Sequence, residues 1–123
     1  MNDRARTPAG WPAGVRPPGD PEWRRSAVGW LLDQCPADYR GYPVLARHPV
    51  ALLHLAVHHV GAQLQANRQA LAGARSRLRE LPPPALAEVV EVLELEQVRL
   101  QAATRGLTLV AEAMRRAPNG PRQ

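Results

Sequence analysis

The sequence predicts an all-α protein: an antiparallel hairpin of two long, coiled-coil-like helices, preceded by a short N-terminal packing helix and a disordered N-terminal tail. Three observations predict it. Residues 49–81 contain no proline after Pro49, and apolar residues recur there at alternating spacings of four and three. A "PPP" at 82–84 interrupts the chain, and beyond it a second stretch repeats leucine every seven residues.

Each element follows in order. Residues 1–21, "MNDRARTPAGWPAGVRPPGDP", carry five prolines and three glycines around Trp11. So little apolar surface is expected not to offset the entropy of ordering, which makes this a Pro/Gly/Arg tail ahead of a single helical domain at 22–123. A short helix is expected over about 22–35, where Trp23, Ala27, Trp30 and Leu31 fall at helical spacing and Pro36 ends it. The stretch 36–48 reads as an irregular connection, interrupted by Pro36, Gly41 and Pro43, with Gly41 expected at positive φ.

Pro49 suits a first helical turn, because its missing amide hydrogen would have no partner there. The first long helix then runs to 81, with Leu53, Val57, Val60, Leu64, Asn67, Leu71, Ala74, Leu78 and Leu81 as its seam. The second spans about 85–117. Leu86, Leu93, Leu100, Leu107 and Met114 set its heptads, with Val90, Gln97, Thr104 and Ala111 between them. Folding back would lay Arg75, Arg77 and Arg79 beside Glu88, Glu91, Glu94 and Glu96, a complementary arrangement. The start of the first long helix, from Val50 to Val60, has almost no polar face, so the tryptophan helix is expected to cover it together with the end of the second.

Composition narrows the functional classes. The chain of 123 residues has no Ile, Phe or Lys, and its sixteen basic residues are all arginine, a bias that points to a GC-rich bacterial genome. The lone Cys35 cannot close an intramolecular disulfide, which argues for a reducing compartment. No apolar segment near the N-terminus resembles a signal peptide, and "VALLHLAVHHV" is too short to span a bilayer. These features predict a cytoplasmic protein without a membrane partner.

Residues 35–60 gather the cysteine, both tyrosines and all four histidines. His54 and His58 are four apart, so one helix face presents both imidazoles, and with Cys35 or His48 they are the candidates for a metal. No zinc-ligand spacing accompanies them, and no metal is assigned. Tyr39, Arg40 and Tyr42 are residue types that dominate binding hot spots; the plainer role is to cap and cover helix ends. Val89, Val92 and Leu95 widen the apolar face of the second long helix and are partner-binding candidates. Arg24, Arg25, Arg47, Arg105, Arg115 and Arg116 are expected to form a basic pole at the packed end, joined by Arg40 and Arg122.

The function these features predict is that of a non-catalytic cytoplasmic interaction or regulatory protein. It would act through the helical hairpin, as a homodimer or with another helical protein. The net charge of +5 makes a nucleic-acid-associated protein using the basic pole the second reading. A metal-responsive protein or thiol enzyme using Cys35 and the histidines is the third. No catalytic residue and no cofactor is assigned.

Overall fold

The computed structural model describes residues 7–116. Among these the regular elements are all helical: α1 (Trp23–Asp33), a 3-10 turn (Ala37–Gly41), α2 (Pro43–Arg47), α3 (Pro49–Arg77) and α4 (Pro83–Arg116). At 1.5 Å per residue the two long helices extend about 43 and 51 Å. They pack along each other.

The prolines place the helix ends. Pro43 and Pro49 both sit in first turns, where an amide hydrogen has no acceptor, so Pro43 opens α2 rather than interrupting a loop. α3 ends at Arg77, four residues before the expected Leu81. The amides of residues 82–84 would have bonded the carbonyls of residues 78–80; prolines cannot, so the helix gives up its last turn. The same prolines fit the first turn of α4, which therefore starts at Pro83, and the Leu86 amide is already donating to the Pro82 carbonyl at 3.0 Å.

The core lies at one end. Leu31 of α1, Leu45 of α2, Leu52, Ala56 and Val60 of α3, and Leu100, Ala103 and Leu107 of α4 form one buried cluster, so the start of α3 meets the second half of α4. α1 covers this junction as the sequence predicts. The seam, however, is rotated here. Val57 is 45% exposed and Thr104 is exposed, while Leu52, Ala56, Ala103, Gly106 and Val110 are buried. A heptad seam describes two helices in isolation; with α1 and α2 added on one side, the buried stripe shifts toward them.

Further along, α3 and α4 have only each other. Val60, Asn67 and Ala74 of α3 and Val90 and Leu100 of α4 are buried between them. Asn67 is 9% exposed and its Nδ2 donates to the Leu93 carbonyl at 2.9 Å, tying the middle of one long helix to the middle of the other. The expected charge pairing between the helices does not occur. Among the described residues the ion pairs are Arg16–Asp20, Arg25–Glu22, Arg40–Asp33 and Arg99–Glu96, and none joins α3 to α4. Exposed pairs of this kind contribute about 0–1 kcal/mol, too little to hold long side chains across an interface.

The tail expected at 1–21 is overturned for residues 7–21; residues 1–6, like Ala117 and Arg122, lie outside the described residues. This segment is a chain of turns laid on the helices. Trp11 Nε1 donates to the Val15 carbonyl at 2.8 Å, its ring lies 5.9 Å from that of Trp23, and Val15 is 4% exposed. The Arg16 amide donates to Ser26 Oγ at 2.8 Å, and Asp20 accepts the Glu22 amide at 2.7 Å, leading the chain into α1. Gly10 has φ 93°, in the left-handed region, and a Cβ there would stand 2.2 Å from Arg105 Nε. Proline already restricts the unfolded chain, so ordering such a segment costs less than its polarity suggests.

Two outcomes follow from this packing. Removing residues 1–21 is expected to lower the melting temperature by several degrees, with Trp11→Ala costing about 2–3 kcal/mol, read by thermal and urea unfolding; an unchanged transition would show the segment to be idle. Asn67→Ala is expected to cost about 1 kcal/mol, the net value of one hydrogen bond, since the Leu93 carbonyl keeps its place in the helical ladder. A loss above about 3 kcal/mol in the same urea titration would mean that Asn67 supports more than this contact.

Candidate functional site

Between Cys35 and Val60 the structure uses the chemistry-bearing residues mainly to join elements. Arg40, on the 3-10 turn, forms an ion pair with Asp33 and points Nη1 at the Leu32 carbonyl at 3.4 Å, where α1 leaves its last carbonyls without helical partners. Tyr39 is half-buried against the core cluster, and Tyr42, 6.2 Å from it between ring centres, is exposed. Gly41 does not adopt the positive φ expected of it; among the described residues only Gly10 and Gly19 do. The 3-10 turn makes the left-handed residue unnecessary.

The metal candidates are not brought together. His54 and His58 are exposed on α3 with their rings edge to face at 4.7 Å, and His48 is exposed at the start of the same helix. Cys35 is half-buried against the core cluster. No group of three or more ligand-type side chains forms among the described residues. Burial pushes the Cys35 thiol above its ordinary pKa, and the nearby Arg40 guanidinium only partly opposes this. The thiolate is therefore disfavoured, the reverse of what a nucleophilic cysteine needs.

Two members of the expected basic pole spend hydrogen bonds on their own chain. Arg24 Nη2 donates to the Arg47 carbonyl at 3.2 Å, closing α2. Arg105 Nε donates to the Ala9 carbonyl at 3.2 Å and lies against Gly10, clamping the N-terminal segment. Arg25 is within 3.7 Å of Glu22. Arg47, Arg115 and Arg116 are exposed, the last two in the final turn of α4, where positive charge complements the helix dipole.

The partner candidates on α4 separate. Val89 is half-buried, whereas Val92 is 62% and Leu95 65% exposed. Val98 is 64% exposed and completes a stripe of three large apolar side chains at spacings of three. Its signal was present in the spacing from Val92 and Leu95 onward. The stripe is flanked by Glu88, Glu91 and Glu94 on its first half; Glu96, whose carboxyl is held below the usual carboxylate range by its hydrogen bonds from Arg99, follows it.

Beside the far end of the stripe lies a cleft of about 410 Å³ lined by Trp11, Pro12, Trp30, Gln34, Arg99 and Ala102. It exists because the N-terminal segment and α1 both lean on α4: at Gly106 a Cβ would meet Pro12 and Trp30 at 3.0 Å. Two of its polar side chains are engaged. Gln34 donates to the Trp30 carbonyl at 3.2 Å, and Arg99 is paired with Glu96.

No protein-family model matches this chain, and no curated protein or solved structure does either. No helix among the described residues is long and apolar enough to cross a membrane.

The thiol supplies a direct check on this arrangement. Alkylation of Cys35 at pH 8 is expected to be several-fold slower in the folded protein than in urea, because burial lowers the thiolate fraction and restricts access. A folded rate equal to the unfolded one would mean that Arg40 outweighs burial.

Proposed function

We infer that the protein is a non-catalytic interaction protein, in which α3 and α4 form a hairpin that presents one face of α4 to another helical surface. One observation carries this reading: Val92, Leu95 and Val98 stand side by side on α4, each more than 60% exposed, with no part of the described chain covering them. Single exposed apolar residues are ordinary on protein surfaces; three in register on one helix face, bordered by charge, resemble the seam of a helix in search of a partner. The coiled-coil spacing of α3 and α4 supports the same reading, since a long two-helix projection buries only the stripe between its own arms.

The supporting chemistry is of binding rather than turnover. Burial disfavours the Cys35 thiolate, His54 and His58 are exposed with no group of three ligand-type side chains around them among the described residues, and Gln34 and Arg99 of the cleft beside α4 already hold partners. Such a surface recognises shape and apolar area, with charge setting orientation.

The experiment is cross-linking in the native cell followed by purification of the tagged full chain, comparing the unaltered protein with Val92→Glu, Leu95→Arg. The expected result is loss of the cross-linked partner with helical circular dichroism retained, because both positions are exposed and tolerate polar residues. Unchanged partner recovery in the double variant would place the interaction surface elsewhere and end this reading.

A further inference from the structure

The exposed stripe of α4 does not stop at Val98. Seven residues after Leu95 an α-helix returns to nearly the same face, which places Ala102 in line with the stripe, and Ala102 lines the cleft walled by Trp11, Pro12 and Trp30. One turn further, the face is closed at Gly106 by Pro12 and Trp30. The stripe is thus a track, open toward the proline corner where α4 begins and stopped by a wall at Gly106.

Charge along this track is asymmetric. Glu88, Glu91 and Glu94 precede its centre; Glu96, Arg99 and Arg105 follow it, and Arg99 offsets Glu96, so the half after the centre is net basic. Among the described residues Glu88 and Glu91 take part in no ion pair. Arg99 binds Glu96 through Nε and Nη2, which leaves Nη1 to reach another acceptor. A helix that is acidic before its centre and basic after it is complementary to itself when two copies lie antiparallel, and repels itself when they lie parallel.

The geometry points to a second copy of this chain as the occupant of the track: α4 packs antiparallel on α4 of the second copy, with the two-fold axis at Leu95. This rests on the reading of α4 as an interaction surface and names its partner. Leu95 then meets Leu95 of the second copy, Val92 meets Val98, and Glu91 stands opposite Arg99. The lengths agree as well. Pro84 of the second copy falls opposite Gly106, so that helix begins where the wall stands, and its Glu88 arrives at the mouth of the cleft beside Ala102. Six valine and leucine side chains alone make a small contact; the tryptophan-walled clefts at both ends enlarge it toward the area a stable dimer needs.

The test uses the full chain in sedimentation equilibrium over a wide concentration range. The unaltered protein is expected to reach twice the chain mass. Glu91→Arg, which places arginines at both 91 and 99, and Arg99→Glu, which places glutamates at both, are each expected to weaken self-association roughly tenfold or more. An equimolar mixture of the two is expected to dimerise again, because each arginine then faces a glutamate at both ends of the axis. Cys35→Ser, Leu95→Cys is expected to give a disulfide-linked dimer on oxidation, whereas Cys35→Ser, Gln65→Cys on α3 does not, a readout independent of the charge variants. A monomer at every concentration overturns the inference, and so does a mixture no more associated than its components. If the chain is monomeric yet Val92→Glu, Leu95→Arg loses a different cross-linked protein in the cell, the interaction surface stands and the second copy is excluded.

Discussion

The first three turns of α3 constrain everything around them. Leu52, Ala56 and Val60 are fully or almost fully buried there, and Leu53 and Leu55 are half-buried, so no single neighbouring helix can cover the segment. Each such leucine or valine contributes about 1.5–3 kcal/mol when removed from water, which makes additional cover worth its ordering entropy. α4 supplies one side through Leu100, Ala103 and Leu107, α1 another through Leu31, and α2 a third through Leu45. The connections between these elements are correspondingly short and pinned. Arg40 holds the end of α1, Arg24 holds the end of α2, and the prolines at 43 and 49 start helices without leaving amides unpaired.

Away from that end the constraint is released, and the surface changes character. α3 and α4 are left to each other, with Asn67 bonded to Leu93 where leucines would otherwise allow several alignments. A buried asparagine of this kind narrows the choice of register more than it adds stability. On the far side of α4 no described residue covers Val92, Leu95 and Val98. Uneven cover thus divides one helix into a half packed into the core and a half that carries an exposed apolar stripe.

Much of this was legible in the sequence. Heptad spacing and proline position located α3 and α4 and their turn, and the apolar start of α3 pointed to α1 as its cover. Val92 and Leu95 were legible as an added apolar edge. What could not be read were features created by a third neighbour. The rotation of the seam that exposes Val57 and buries Ala103 depends on where α1 and α2 rest, which no local period encodes. Residues 7–21 were misread because their contribution lies in shape: Pro12 and Val15 are buried although the stretch is polar on average. The small side of Gly106, which admits Pro12 and Trp30, is a gap in a helix and carries no mark in the sequence distinguishing it from any other helical glycine.

The clamp between Arg105 and the Ala9 carbonyl joins groups 96 residues apart along the chain. Such a contact can close only after most of α4 has been made, so during synthesis the N-terminal segment can turn onto α1 early and is clamped to α4 last. At this one joint the first residues translated are the last to be clamped, and a nascent chain stalled before residue 105 would leave Pro12 and Trp30, which meet α4 at Gly106, without that cover.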